Sequence, residues 1–125
     1  MTSRVLLTAA ALLALAASPV AAQTNGDLVA RGAYLVGPAG QCADCHGANL
    51  RGGKNPVLGK PGVPWAKTIL NLRGLREFKT DELAVAFFTT SFLPGGVHAL
   101  PPMPRFTFHR DDATAIVAYL RSLKK

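Results

Sequence analysis

Two cysteines and a histidine stand close together in the first half of the chain. Residues 42–46 read CADCH, and Cys42 and Cys45 are the only cysteines among 125 residues. Two thiols at this spacing can each add to one vinyl group of the same haem, and a histidine directly after the second thiol is then held beneath the porphyrin, where it reaches the iron. The motif therefore predicts one covalent haem c, with Cys42 and Cys45 as the thioether positions and His46 as an axial iron ligand.

Three other interpretations of the cysteine pair compete with haem attachment. A disulfide would suit an oxidising compartment, and a redox-active dithiol of the thioredoxin type has the same spacing. Neither gives His46 a role, and a thioredoxin-like module needs several strands around the motif, which this chain does not offer. A zinc site needs a second Cys or His pair, and only His98 and His109 remain as further ligands. Haem attachment is favoured over all three.

A methionine is the best candidate for the second axial position. Met103 lies in residues 100–104 (LPPMP), where three prolines stiffen the backbone and hold one side chain in a fixed direction. It is the only methionine besides Met1, so we predict it as an iron ligand rather than as core filler. The rival ligands are His98, which follows a flexible Gly-Gly-Val segment, and His109, which is more simply explained as a capping or surface residue.

Three segments with helical patterns could position these side chains. The first covers residues 27–36 and is stopped by a Gly-Pro pair. The second is capped by Thr80 and runs to about residue 91, with apolar residues at helical spacing. The third spans about residues 111–123 and has one apolar face. With only a very short strand at residues 68–72, the sequence predicts a small all-α domain.

Two long irregular segments separate the predicted helices. Residues 47–64 are rich in Gly, Pro and Lys, and residues 94–108 contain the proline-framed methionine. Loops of this length in a small domain usually cover a functional site or a cofactor, and we expect both to do so here.

The N-terminus has the pattern of a secretory signal peptide. Arg4 precedes an apolar run, residues 5–17, and small residues before position 23 suit signal peptidase. The run is shorter than the roughly 20 residues that a membrane span needs, and nothing later in the chain resembles a span. We therefore predict a signal peptide at residues 1–22 and a mature periplasmic domain at residues 23–125, with no membrane span after cleavage.

The positive charge is concentrated in one third of the chain. The formal charge is +7, and loss of Arg4 with the signal peptide leaves +6. Residues 48–80, here called the basic segment, contain seven basic residues against Glu77 alone and so hold the entire net charge. The segment is either a solvated loop or a docking surface for an acidic partner. Nucleic-acid binding is not expected, because export separates the protein from nucleic acid and no recognition motif accompanies the charge.

The order of these motifs resembles the class I cytochrome c family. The resemblance rests on the CADCH run and on three further stretches, residues 31–36 (RGAYLV), 102–104 (PMP) and 118–123 (AYLRSL). It covers nearly the whole mature chain, and the chain is especially similar to the cytochrome domains of membrane-associated bacterial alcohol and sugar-acid dehydrogenases. Those subunits carry several haem motifs in tandem, whereas this chain carries one.

The resemblance implies a small cytochrome c fold, with three main helices and long loops wrapped around one covalently bound haem. It implies that the first and last helices cross at a close contact, for which Gly32 and Tyr119 are the expected residues. The family also commonly has a proline whose preceding carbonyl accepts a hydrogen bond from the proximal histidine. Pro56 and Pro61 are the candidates for this proline.

These features together predict an electron carrier rather than an enzyme. With His46 and Met103 both bound, the iron has no open position for a substrate, so outer-sphere electron transfer is the expected activity. The expected donor is a dehydrogenase and the expected acceptor an oxidase or another cytochrome, with the protein acting as a mobile shuttle or as a permanent subunit. The alternative is a haem enzyme or gas-binding sensor in which Met103 is displaced.

Overall fold

The helices contribute most of the buried core. The computed structural model describes residues 21–124, so the predicted signal peptide lies outside the described residues except for its last two positions. Within this part of the chain the α-helices are α1 Asn25–Tyr34, α2 Ala43–His46, α3 Asp81–Thr90 and α4 Arg110–Ser122. No helix among the described residues is both long and apolar enough to cross a membrane.

Helix α1 begins at a capping box. The Thr24 hydroxyl accepts the Asp27 N–H at 3.2 Å, and the Asp27 carboxylate accepts the Thr24 N–H at 3.0 Å. The Thr24 hydroxyl also donates to the Asp27 carboxylate at 2.7 Å, and this bond, together with the one from the Thr24 N–H, holds the pKa of Asp27 below its usual value. Because Thr24 provides the cap, the helix starts two residues earlier than the apolar pattern predicts. It ends at Tyr34, and a π-helical turn containing Pro38 continues the chain toward the cysteines.

Helices α1 and α4 cross at the predicted glycine. Gly32 is buried, and a Cβ atom built on it would lie 2.6 Å from Tyr119 Cβ and would collide with the Ala115 carbonyl. Only glycine permits so close an approach of the two backbones. An ion pair between the Arg31 guanidinium and the Asp112 carboxylate also joins α1 to α4 at this crossing. The prediction of contact between Gly32 and Tyr119 is confirmed.

Helix α3 and helix α4 both begin at side-chain caps. Thr80 Oγ1 accepts the Leu83 N–H at 3.3 Å, as predicted, and α3 ends at Ser91 in the left-handed conformation, with φ at 64°. His109 Nδ1 accepts the Asp111 N–H at 3.4 Å at the start of α4. The prediction of His109 as a capping residue is confirmed, and its imidazole belongs to the helix end.

The fold is mostly helical, as predicted, and contains a small two-stranded antiparallel sheet. Strand β1 is Gly53–Lys54 and strand β2 is Thr68–Ile69. The predicted strand at residues 68–72 is therefore shorter than expected, and its partner lies in the segment predicted to be irregular. The pairing forms because consecutive glycines with positive φ, Gly52 and Gly53, let the chain turn onto β2 and satisfy its backbone hydrogen bonds.

Two arginines attach the segment after β2 to the end of α4. The Arg121 guanidinium donates to three carbonyls and one carboxylate: Gly74 O at 2.6 Å, Leu75 O at 3.1 Å, Phe78 O at 2.9 Å and Asp81 Oδ1 at 2.8 Å. Arg73 donates to Lys124 O at 2.6 Å and to Asn49 O at 3.1 Å. Arg73, one of the seven basic residues of the basic segment, thus makes its hydrogen bonds within the fold.

Candidate functional site

The helix α2 holds the CADCH motif in a single turn. The His46 N–H bonds to Cys42 O at 2.9 Å, so the two thiols and the imidazole are fixed within one short element. Gly47, with φ at 81°, ends the turn and directs the chain away. Both cysteines are free and partly buried, and burial raises the pKa of the Cys42 thiol.

The motif faces a large apolar cavity, here called the central cavity. Its volume is about 520 Å³, within the range of roughly 300–1,000 Å³ typical of cofactor sites. Cys42, Cys45, His46 and Met103 all line it. The rest of its wall is mainly aliphatic and aromatic and includes Leu75, Phe78, Phe87, Phe88, Phe106, Phe108, Ile116 and Leu120. The structure therefore brings together all four predicted site residues around one apolar space.

The hydrogen bonding of His46 determines which ring nitrogen can bind a metal. Nδ1 lies 2.8 Å from the carbonyl oxygen of Leu70. A carbonyl only accepts, so Nδ1 carries the proton and the lone pair is on Nε2. Burial lowers the pKa of the imidazole, partly offset by the Leu70 carbonyl, and this favours the neutral, ligating form. His46 is thus a neutral imidazole with a fixed tautomer.

The partner of His46 corrects one prediction. The accepting carbonyl belongs to Leu70 and precedes Asn71, whereas the resemblance implied a carbonyl before Pro56 or Pro61. Asn71 stands where the family commonly has a proline. Its side-chain Oδ1 accepts the Arg73 N–H at 2.9 Å, and this hydrogen bond forms an Asx turn. The turn fixes the backbone immediately after the accepting carbonyl.

Gly52 packs directly against the Leu70 carbonyl. Its N–H bonds to His46 O at 2.8 Å, and its φ is 71°. A Cβ atom on Gly52 would lie 2.5 Å from Leu70 O. Gly52 therefore contacts the backbone of His46 and the carbonyl of Leu70, and this close approach requires glycine. Sequence reasoning missed both Gly52 and Leu70; the pair of adjacent glycines was the one available signal.

Met103 lies in a turn that forms part of the wall of the central cavity. Its N–H bonds to Leu100 O at 3.2 Å, and Leu100, Pro102 and Pro104 line the central cavity beside it. Ala66 donates its N–H to Pro101 O at 2.8 Å and attaches this turn to the segment before β2. The prolines therefore form a frame around a half-buried thioether, as the sequence predicted.

The two rival histidines lie outside the lining of the central cavity. His98 Nδ1 lies 2.8 Å from Ser91 O, and its ring stacks on Phe92 with centroids 4.1 Å apart. An isolated β-bridge pairs the same two residues. His98 thus closes a small hairpin, and His109 caps α4.

The donor set and the lining of the central cavity fit a haem. Two thiols, an imidazole with Nε2 available and a thioether all border one space, and thiolate, imidazole and thioether are the side chains used for haem attachment and axial ligation. An aromatic group including Phe78, Phe87 and Phe88 offers the apolar surface that a porphyrin requires, with centroid separations of 5.5 Å and 5.2 Å along the chain of rings.

A comparison with models of protein families identifies the family of this chain. The family model of cytochrome c matches residues 29–124, and the chain belongs to the cytochrome c family. It is an electron-transfer haem protein with covalently bound haem c, and Cys42 and Cys45 have the spacing that such attachment uses. A comparison with curated proteins gives no match.

Proposed function

We propose that the protein is a periplasmic one-electron carrier whose single haem is attached to Cys42 and Cys45 and ligated by His46 and Met103. The observation that carries the proposal is that these four side chains border one apolar cavity. Neither His98 nor His109 belongs to its lining, and each makes a different hydrogen bond elsewhere. This arrangement supports methionine rather than a second histidine as the sixth ligand.

The residues around the central cavity have distinct tasks in this role. Haem supplies an iron that alternates between the ferric and ferrous states by one electron. The Leu70 carbonyl orients the His46 ring and raises its basicity as a ligand. The Met103 thioether stabilises ferrous iron relative to a second imidazole and so raises the reduction potential. The phenylalanine-rich wall keeps water from the site and lowers the dielectric around it.

Export and partners complete the proposal. The signal peptide at residues 1–22 would deliver the protein to the periplasm, where a dehydrogenase would reduce it and an oxidase or another cytochrome would oxidise it. Cytochrome c carriers act on redox partner proteins, and the basic segment supports partners with an acidic docking surface. The contribution of Arg73 to docking is small, because its guanidinium donates to two carbonyls of the fold.

A spectroelectrochemical titration of the purified holoprotein tests the proposed function. The visible spectrum should follow a one-electron Nernst curve, and the reduced protein should not bind carbon monoxide at neutral pH, because both axial positions are filled. Stoichiometric carbon monoxide binding at neutral pH would instead identify a haem enzyme or gas-binding sensor with a displaceable Met103.

A further inference from the structure

Hydrogen bonds hold together the two ends of the segment between β1 and β2. Asn55 is buried, donates its backbone N–H to Lys67 O at 3.1 Å and donates its side-chain Nδ2 to Ala66 O at 2.6 Å. Its Oδ1 accepts the Val57 N–H at 2.9 Å. The two ends of residues 55–66 therefore lie together, which is the geometry of an Ω-loop.

Trp65 fills the inside of this loop. Its Nε1 donates to Val57 O at 3.0 Å, and a Cβ atom on Gly59 would lie 2.5 Å from the indole Cγ. Because the indole already occupies the interior, the other apolar side chains of the loop turn outward. Val57 is 42% exposed, Val63 is 48% exposed and Leu58 is 90% exposed. The loop thus packs around Trp65 and exposes Leu58 to solvent.

Lysines surround these exposed apolar side chains. Lys54, Lys60 and Lys67 line one surface depression together with the two valines and the leucine, and no acidic side chain lines it. The chain has no acidic residue between Asp44 and Glu77, so nothing within the segment neutralises the three ammonium groups. Such a surface complements an apolar contact ringed by carboxylates. We call residues 54–67 the lysine-flanked loop.

The lysine-flanked loop borders the central cavity. Ala66 and Lys67 line both the surface depression and the central cavity. The hydrogen bond from Ala66 N–H to Pro101 O, at 2.8 Å, attaches the loop to the turn that carries Met103. A protein seated on the loop would therefore lie beside the redox site, where electron transfer needs it.

We propose that the lysine-flanked loop is the recognition element for an acidic electron-donor protein, which takes Leu58 into an apolar contact and places carboxylates against Lys54, Lys60 and Lys67. This inference rests on the proposed function, because it requires a partner that exchanges electrons. A membrane surface is disfavoured: even one myristoyl chain gives only marginal membrane binding, and a leucine buries far less apolar area. The lysines set the association rate, and the leucine sets which acidic proteins remain bound.

The test uses the full holoprotein and a reduced flavodoxin, an acidic one-electron donor, mixed in a stopped-flow instrument over a salt series. Leu58→Gln is compared with Leu83→Gln, which changes a leucine that is 38% exposed on α3, outside the loop. Lys60→Gln is compared with Lys124→Gln, an exposed lysine outside both the loop and the basic segment. Reduction by neutral hydroquinone, which needs no docking surface, reports on the haem alone.

Leu58→Gln should slow reduction by flavodoxin about fivefold at low and at high salt, since an apolar contact is not screened. Lys60→Gln should slow it about threefold at low salt, with the difference vanishing near 0.5 M salt, where the Debye length falls to about 4 Å. The two control variants should match the natural protein, and all variants should react equally with hydroquinone.

Equal flavodoxin rates for Leu58→Gln and Leu83→Gln would overturn the inference. So would binding of the holoprotein to phosphatidylglycerol vesicles that is weakened by Leu58→Gln while the flavodoxin rates stay unchanged, because that result would assign the loop to a lipid surface. A natural protein whose spectrum shows no one-electron reduction by hydroquinone would contradict the proposed function itself and not the loop assignment alone.

Discussion

The Nδ1 atom of His46 and the carbonyl oxygen of Leu70 lie 2.8 Å apart, and Gly52 packs against both residues. This relationship ties the haem motif to the segment after β2 by way of a backbone group. The orientation of the His46 imidazole therefore depends on a turn made by Asn71 and on the absence of a side chain at position 52.

Replacing Gly52 by alanine should raise the reduction potential of the holoprotein. The new methyl group would collide with the Ile69 and Leu70 carbonyls, and the resulting shift would weaken the hydrogen bond between Leu70 and His46 and so reduce electron donation to the iron. We expect a loss of stability of about 1–3 kcal/mol, because alanine is strained at this positive φ. Redox titration and the proton resonances of the His46 ring measure the effect.

Gly53→Ala is the matched control for Gly52→Ala. Gly53 has φ at 138°, but a Cβ atom there would meet no atom within 4 Å. It should therefore lose stability through backbone strain and leave the potential and the His46 resonances unchanged. Identical potentials for the natural protein and Gly52→Ala would show that the Leu70 carbonyl does not tune the iron.

Arg121→Lys should destabilise the protein by about 2–4 kcal/mol. Lysine cannot reproduce the planar guanidinium fork, so the carbonyls of Gly74, Leu75 and Phe78 would lose their shared donor. Asp81→Asn is the control, because that carboxylate is 65% exposed and an exposed ion pair contributes less than about 1 kcal/mol. Unfolding of both variants in guanidinium chloride measures the difference, and equal midpoints would show that the hydrogen bonds of Arg121 to the three carbonyls contribute little to stability.

Haem should stay on the protein under acidic acetone. Thioether bonds from Cys42 and Cys45 resist this treatment, whereas a haem held only by axial ligands is released. Cys42→Ala combined with Cys45→Ala should abolish attachment during expression, while the charge-altering control Asp44→Asn, between the two thiols, should keep it. Free haem in the acetone phase of the natural protein would refute thioether attachment.

Met103→Ala should remove the weak red absorption band of the oxidised protein, which arises from sulfur-to-iron charge transfer. His98→Ala and His109→Ala should keep that band, because the first imidazole bonds to Ser91 O and the second caps α4. If His98→Ala were the variant that lost low-spin ligation, the sixth ligand would have to be reassigned.

The sequence was sufficient to single out the four side chains that the structure places around the central cavity. CADCH and the proline-framed Met103 could be recognised because cysteine and methionine are rare in this chain and because the two cysteines have the spacing that haem attachment uses. Helix α3 was predicted from Thr80 onward since a threonine cap and an apolar repeat are both local signals. The start of α1 was missed by two residues because Thr24 is polar and lies before the periodic pattern.

The hydrogen-bond partner of His46 could not be predicted in the same way. A carbonyl is present at every residue, so the selection of Leu70 depends on how β2 pairs with β1 and on the contact with Gly52. The sheet itself was missed because two-residue strands with glycine have no alternating pattern. Long-range packing decides such features, and a single sequence records it only weakly.

The outer part of the lysine-flanked loop can change in sequence independently of the central cavity, because hydrogen bonds hold the two ends of the loop together. Residues 56–64 contribute nothing to the lining of the central cavity, since Asn55 joins the ends of the loop and Trp65 fills its interior. Substitutions of the outward-facing Leu58 and Val63 can therefore alter the outer surface while the residues that line the central cavity stay as they are. A lineage that acquires a new redox partner could adapt to it by changing the exposed side chains of this one loop.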